Sequence, residues 1–334
     1  MNRFIILLLL IFNISCEKTI DINLPSQESK LVINGSLISN KYWDGYSQYI
    51  YISNSIEGLG NVTDYEFTDS VPVINYASVN VLEMENENDI IEEFQFEFDN
   101  NCYCYSNNNF VPKENSTYQL KVSADNFPEI TAFETMPSET DFNISNFIMG
   151  NILDRRIEGK LCEFDITIND EPGVKNFYKL KVFVVNTFNE DGKACVYSVD
   201  DPSFLIPINN TSSNGNYFKS KNGYFTDELF DGETKTFSIS VDKPKGRFEY
   251  FYIQLTSLSK NNYMFNITRK EQNRDSNNFM FNNEPMFIQS NINGGYGIFG
   301  GESLTKKAYI PTFYPTNGWL DYWTWIIFFT IPLS

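Results

Sequence analysis

The hexapeptide YQLKVS, at residues 118–123, places apolar Tyr118, Leu120 and Val122 in alternation with polar side chains. Successive side chains of a β-strand point to opposite faces of a sheet, so this alternation predicts a strand that lies between a core and water. The same period of two recurs at residues 94–98, 164–168, 237–241 and 251–255. Because one apolar and one wet face is what an antiparallel sheet over a core requires, the sequence predicts a mainly β protein.

Two segments depart from this period. Lys179 to Val185 is apolar on both sides, which predicts a central strand. Ser259 to Gln272 has the best helical pattern, with Ser259 as the candidate N-cap. Clusters of Asn, Asp, Gly and Pro separate the predicted strands, as is typical of sandwiches. We therefore expect two β-sandwich-like domains with few short helices.

A change of composition at Met136-Pro137-Ser138-Glu139 marks the expected domain boundary, because an apolar strand ends there and a polar stretch follows. Residues 31–138 are predicted to form the first, Ig-like sandwich, and residues 139–312 a second β domain. The polar residues 16–30 are interpreted as a tether. Residues 313–334 form a separate aromatic C-terminal tail.

The N-terminal residues have the order of a bacterial lipoprotein signal. Arg3 supplies a positive charge, Phe4 to Phe12 is an apolar run too short to span a bilayer, and Ser15 directly precedes Cys16. Such a signal, here residues 1–15, is cut before the cysteine, whose acyl chains then form a stable anchor. We therefore predict lipid attachment at Cys16 and a lipid-anchored outer-membrane location facing the cell surface. The alternative is an ordinary secretory signal with an incidental cysteine.

The composition excludes several function classes. The 334 residues include 25 Lys and Arg, 43 Asp and Glu, and no His, for a formal net charge of −18. Without histidine the chain cannot build a Ser-His-Asp triad, a Cys-His dyad or an imidazole metal site. The acidic balance argues against a nucleic-acid partner, whose phosphates require a cationic surface.

Four cysteines follow Cys16, namely Cys102, Cys104, Cys162 and Cys195. In an exported chain an even number suggests disulfides. Cys102 and Cys104 would face the same way on a strand, so we expect each of them to pair elsewhere, and a link to Cys162 or Cys195 would join the two domains. Free thiols and a four-thiolate zinc site are the alternatives.

The run Gly295-Tyr296-Gly297-Ile298-Phe299-Gly300 matches the G-x-G-x-x-G pattern of dinucleotide sites. Such a site needs a strand before the glycines and a helix after them, and no helical pattern follows here. We interpret the run as a glycine-rich turn and predict no cofactor.

Acidic side chains are dense between Glu83 and Glu97, and they could in principle bind Ca²⁺. The spacing of a known calcium loop is missing, so a solvated hairpin is the favoured interpretation and we predict no metal site. Nothing in the sequence marks a catalytic carboxylate pair or a Ser-Lys or Tyr-based site, and we predict that the protein is not an enzyme.

The C-terminal tail is unusually aromatic. It is either a terminal strand buried in a sandwich or an exposed patch for a partner protein or the membrane interface. The candidate partner surface consists of Trp319, Tyr322, Trp323, Trp325, Phe328 and Phe329.

Seven segments, taken in order and spacing, resemble one protein family. They are LVINGSL (31–37), PVINYASVNVLE (72–83), YQLKVSADNFPEITAFETMP (118–137), FYKLKVFV (177–184), TDELFDGE (226–233), YFYIQLTSLSKNNYMF (250–265) and NEPMFIQSNINGGYGIFGG (283–301). The family comprises outer-membrane lipoproteins of Bacteroidota with the domain of unknown function DUF4249, and the second and third segments resemble a carboxypeptidase-regulatory-like sandwich. The resemblance implies a lipoprotein, often accessory to a SusC-like TonB-dependent transporter, and implies no catalytic residues.

From these observations we expect a non-catalytic outer-membrane lipoprotein that acts as an accessory subunit of an outer-membrane barrel complex. Its predicted partners are the barrel protein, such as a SusC-like transporter, and the bilayer that holds the acylated Cys16. The alternatives are a stand-alone cell-surface module that binds glycans or proteins and, less favoured, a carboxylate-dependent hydrolase.

Overall fold

The computed structural model describes residues 28–39, 47–55, 72–86, 89–149, 160–186, 189–204, 218–242, 250–275, 287–309 and 328–329. The prediction of a mainly β, sandwich-like protein is confirmed, because these residues form strands in two sheets with one helix. The first half contains β1 (Leu31–Ser39), β2 (Gln48–Asn54), β3 (Ser78–Met84), β4 (Ile90–Asp99), β5 (Cys104–Asn107), β6 (Thr117–Ser123) and β7 (Ile130–Thr135).

The second half adds the remaining strands and the helix. They are β8 (Phe142–Met149), β9 (Lys160–Asn169), β10 (Phe177–Asn186), β11 (Asn189–Ala194), β12 (Tyr197–Val199), β13 (Phe218–Ser220), β14 (Gly223–Thr226), β15 (Thr234–Asp242), β16 (Tyr250–Leu258), α1 (Lys260–Asp275), β17 (Tyr296–Tyr309) and β18 (Phe328–Phe329). None of the helices among the described residues is both long and apolar enough to cross a membrane.

The larger sheet runs through both halves of the chain. Its strand order is β11-β10-β16-β17-β1-β2-β5-β4-β3-β6-β7, with β14 on β10 and β18 on β17. β1 pairs with β17 in parallel, with Val32 opposite Tyr296 and Ser39 opposite Ser303. β17 therefore joins the N-terminal strands to β16 of the second half, and its Phe299 lies in the N-terminal core. The limits of the two domains stay a prediction.

A second sheet completes a sandwich in the C-terminal half. Its order is β13-β12-β15-β9-β8, and its inner face packs on β10 and β16 of the larger sheet. Phe164 and Ile166 from β9 share this core with Leu180 from β10 and Ile253 from β16. The alternating segments at 164–168, 237–241 and 251–255 supply the buried side chains, which confirms the period-two predictions there.

The N-terminal core forms within the other half of the larger sheet. Tyr118, Leu120 and Val122 of β6 are all fully buried, as their alternation predicts. The free edge of β7 returns toward the start of β17, since Thr131 and Asn293 exchange two backbone hydrogen bonds. This contact closes the curved sheet around its core and limits the open edge.

The two departures from the period are also confirmed. β10 is a central strand, because it pairs with β16 on one side and with β11 and β14 on the other. α1 begins after Ser259, whose carbonyl accepts the N–H of Tyr263 and whose Oγ accepts the N–H of Asn262 at 3.4 Å. Ser259 is thus the N-cap of α1.

Candidate functional site

Cys102 and Cys104 form a disulfide with each other, so the expectation that each of them pairs elsewhere is wrong. Cys102 does not lie on a strand. It lies in the turn between β4 and β5, where Tyr103 has a φ of 51°. This left-handed residue turns the chain so that the two Cα atoms come within 5.2 Å, a distance that a disulfide spans.

Cys162 and Cys195 are free thiols buried in the core of the C-terminal sandwich. Burial raises the pKa of the Cys195 thiol to about 11, and it raises the pKa of the Cys162 thiol still higher. Because the thiolate is the reactive form, neither cysteine is activated as a nucleophile or a metal ligand. The structure therefore contains no link between the first cysteine pair and these two, and the described cysteines do not converge on a zinc site.

The glycine run at 295–300 has a packing role. Gly297 has a φ of 107°, and a Cβ there would overlap the carbonyl oxygen of Ile33 on β1. A Cβ on Gly295 would lie 2.6 Å from the carbonyl oxygen of Leu31. The run continues into β17 instead of a helix, so Tyr296 to Gly300 lie on a strand and not in the glycine-rich turn that the sequence predicted, although Gly297 does have a positive φ.

The acidic stretch between Glu83 and Glu97 lies on the hairpin of β3 and β4, as predicted. Glu83 is buried and accepts both Lys113 Nζ, at 2.9 Å, and Ser116 Oγ, at 3.2 Å. Glu92 and Glu93 are exposed. The stretch therefore combines an ion pair between the buried Glu83 and the largely exposed Lys113 with a solvated strand surface.

Three carboxylates that the sequence reasoning missed do converge, namely Asp170, Asp227 and Asp231. One oxygen of each lies within 4.8 Å of the others, and burial, followed by the neighbouring carboxylates, raises the pKa of Asp227. Oxygen ligands of this kind suit a hard cation such as Ca²⁺.

The same oxygens, however, already hold the chain in place. The backbone N–H groups of Asn176, Gly173 and Gly232 donate to Asp227, Asp231 and Asp170, at 2.6, 2.7 and 2.9 Å. The cluster therefore fastens the turn before β10 to the turn before β15. The three aspartates of the cluster come from two turns that are far apart in sequence, so the Asp-Gly pair at 231–232 was the only local signal for the cluster.

A buried ion pair lies beside the start of α1. Lys179 Nζ donates to Glu302 Oε2 at 2.9 Å, and Asn262 Nδ2 donates to Glu302 Oε1 at 3.1 Å and to Ser36 Oγ at 3.2 Å. Burial would raise the pKa of Glu302, but Lys179 and Asn262 outweigh it and hold that pKa below its usual value. This network joins β10, β17, β1 and α1, which makes it a structural contact.

Glu134 on β7 is another buried carboxyl group. Its Oε1 accepts the N–H of Thr135 at 3.1 Å, and its Oε2 has no hydrogen-bond partner among the described residues. Burial raises the pKa of Glu134 to about 7, while the side chains of Ser259 and Asn261 oppose this rise. Glu134 therefore lies where β7 packs against the start of α1.

Exposed tyrosines mark the outer face of the larger sheet. Tyr49 and Tyr51 on β2 and Tyr296 on β17 retain 38%, 46% and 46% of their surface in solvent. The run QYIYIS at residues 48–53 alternates tyrosine with buried isoleucine, and this signal could have identified the face from the sequence.

Most of the remaining predicted site residues are not among those that the structure describes. Cys16 lies outside the described residues, and so do Trp319, Tyr322, Trp323 and Trp325. Phe328 and Phe329 form β18, which pairs with Ala308 and Tyr309 at the end of β17.

The comparisons with known proteins identify a family but no activity. The model of the family described as Domain of unknown function (DUF4249) matches residues 17–308. No curated protein matches the sequence.

The solved structures similar to this chain are distant. A trypsin-activated alpha-2-macroglobulin from Escherichia coli is 8% identical over 69% of this chain, with a TM-score of 0.18. A partial N-terminal region of an enterococcal surface protein is 9% identical, covers 85% of this chain and 97% of its own length, and has a TM-score of 0.20. The chain spans 14% of the first of these structures, and both scores are too low to carry an argument about function.

Proposed function

Because the chain belongs to the DUF4249 family, we propose that it is a non-catalytic, lipid-anchored accessory subunit of an outer-membrane barrel complex. The observation that carries this proposal is the N-terminal sequence, in which Arg3, the apolar run and Ser15-Cys16 follow the order of a lipoprotein signal. The family match begins at residue 17, directly after Cys16, which agrees with a mature chain that starts at that cysteine. The proposed partner is a SusC-like TonB-dependent transporter or similar machinery.

Electrostatics favour a lipid anchor over adsorption to the membrane surface. Removal of residues 1–15 takes away Arg3, one of the 25 basic residues, and no acidic residue, so the net charge becomes −19. A chain of this charge is repelled by anionic headgroups. Acyl chains on Cys16 overcome this repulsion, because each buried CH₂ group contributes about 0.8 kcal/mol.

The chemistry of the described residues supports a non-catalytic role. The two free thiols are buried with raised pKa values, and the converging carboxylates of Asp170, Asp227 and Asp231 accept backbone hydrogen bonds. These groups therefore stabilise the fold and are not poised for a reaction.

The test is affinity purification of the tagged full chain from detergent-solubilised outer membranes, followed by mass spectrometry. We expect one barrel protein in stoichiometric amount. A Cys16→Ser variant is the matched control, since it should leave the membrane fraction and lose the barrel. If the aromatic tail is the partner surface, a chain truncated before Trp319 should still be acylated but should no longer co-purify with the barrel. Recovery of the lipoprotein alone would contradict the proposal and favour a stand-alone binding module.

A further inference from the structure

Tyr49, Tyr51 and Tyr296 lie on one face of the larger sheet. Tyr51 lies opposite Asn34 of β1, and Asn34 lies opposite Ile298 of β17. The side chains of Tyr51, Asn34 and Ile298 therefore share one face of the sheet. Tyr49 is two residues from Tyr51 on the same strand, and Tyr296 is two residues from Ile298. We call this face the tyrosine face. Its exposed residues on the three strands are Asn34, Tyr49, Tyr51 and Tyr296, and Val32, Ser36 and Ser53 on the same side are half-buried. Ile298 and Gly300 also lie on this side but are buried, and Asn262 of α1 packs against Gly300 and donates to Ser36 Oγ, so α1 bounds the face at that end.

The spacing of the rings follows from sheet geometry. Tyr49 and Tyr51 are separated by about 6.8 Å along β2, and Tyr51 and Tyr296 by about 12 Å across β1, from the usual strand rise and strand spacing. The face is also rigid, because the intervening residues Ile33, Ile50 and Ile52 are at most 2% exposed. The backbone that carries the rings is thus fixed before binding, which reduces the entropy lost on binding.

The tyrosine face differs in charge from the rest of this acidic protein. Its exposed and half-buried residues on β1, β2 and β17 include no carboxylate, although the whole chain has a formal net charge of −18. Lys30 Nζ lies 5.3 Å from the centre of the Tyr296 ring and places a positive charge at one border. At the opposite border the exposed Glu97 of β4 lies across Ser106 of β5 from Tyr49 and places a negative charge there. A neutral partner avoids the repulsion that the surrounding acidic surface would exert on an anionic one.

We propose that the tyrosine face binds a neutral polysaccharide chain. The flat C–H faces of pyranose rings can stack on Tyr49, Tyr51 and Tyr296, and the sugar hydroxyls can exchange hydrogen bonds with the amide of Asn34 and with the phenol groups. The mixture of flat rings and small polar groups, with Val32 as the partly exposed aliphatic residue, suits a ligand that is itself part apolar and part hydroxylated. This activity is independent of the proposed barrel complex.

The test is affinity electrophoresis of the full acylated chain in detergent, through native gels that contain soluble polysaccharides. The neutral probes are a mixed-linkage β-glucan, a galactomannan, an arabinoxylan and a dextran, and the acidic control is alginate. At least one neutral polymer should retard the protein, and alginate should not. Removal of a ring at the centre of a binding patch should weaken the affinity at least about fivefold, so Tyr49→Ala and Tyr51→Ala should each show this loss.

Two variants separate ring stacking from damage to the fold. Tyr51→Phe keeps the ring and should retain most of the affinity even if the Ala variants fold poorly. Phe133→Ala removes a comparably exposed ring, at 44%, from β7, which four strands separate from β2 in the sheet order, and it should bind like the unmodified protein.

Several results would overturn the proposal. One is the absence of retardation by all four neutral polymers, and another is an equal loss of affinity in Phe133→Ala. If the Tyr49→Ala, Tyr51→Ala double variant instead loses the co-purified barrel and the unmodified protein binds no polymer, the tyrosine face is a protein-docking surface. Because the gel contains no barrel protein, failure of this inference is distinguishable from failure of the proposed function.

Discussion

Replacement of Glu134 by Gln should remove a pH dependence of stability that originates in one buried carboxyl group. In the folded protein the pKa of Glu134 rises from 4.5 to about 7, chiefly because the group is buried on β7. Between these pH values the folded state retains a proton that the unfolded state has lost, so the free energy of unfolding falls as the pH rises. At about 1.36 kcal/mol per pH unit, the loss is about 3 kcal/mol by pH 8.

The assay is urea unfolding of the unmodified protein and of Glu134→Gln at several pH values from 4 to 8, with stability obtained by linear extrapolation. The two proteins should be similar in stability near pH 4, and the variant should be the more stable by up to about 3 kcal/mol at pH 8. Glu93→Gln, at an exposed position on β4, is the control and should follow the unmodified protein. Parallel stability curves for Glu134→Gln and the unmodified protein would refute the reasoning.

Three further perturbations test the described contacts. Gly297→Ala should lower the free energy of unfolding by more than about 4 kcal/mol, because the added Cβ would overlap the Ile33 carbonyl oxygen. Gly173→Ala is the control: Gly173 has a φ of 79° but no atom within 4 Å of the added Cβ, so this variant should lose only about 1–2 kcal/mol. Both losses can be measured by thermal or urea unfolding. Lys179→Met should lose about 3–5 kcal/mol by leaving Glu302 buried without its cation, and the double variant with Glu302→Leu should recover most of it in a double-mutant cycle. In thiol titrations the buried Cys162 and Cys195 should react only after denaturation. The thiols of Cys102 and Cys104 should appear only after reduction of their disulfide. Rapid labelling of the native protein would contradict these expectations.

Much of the fold could be predicted because it depends on local periodicity. The alternation at Tyr118, Leu120 and Val122 directly identifies the buried face of a strand, since each side chain's direction is set by its parity along the chain. The N-cap at Ser259 was visible for the same reason, as capping involves only neighbouring residues.

Pairings between distant segments could not be predicted in this way. The parallel alignment of β1 with β17 brings Val32 opposite Tyr296, and no local pattern marks such a partner. The same reason explains why the cluster around Asp170 and Asp227 was missed, because its members come from two separate turns.

The disulfide was mispredicted because of one backbone conformation. The reasoning placed Cys102 and Cys104 on a strand, but a left-handed Tyr103 puts them at a turn. A positive φ is uncommon outside glycine, so the sequence held no strong signal for it. The tyrosine face, in contrast, was readable from the alternation at residues 48–53 once exposure as well as burial is considered.

The most direct test of the proposed accessory role is the mass of the particle that contains this chain. Native mass spectrometry of the complex released from outer membranes in detergent measures it without assuming the identity of the partner. Our account predicts the mass of one acylated chain plus that of one barrel protein. A particle with the mass of the acylated chain alone, from membranes in which the chain is intact and anchored, would contradict it.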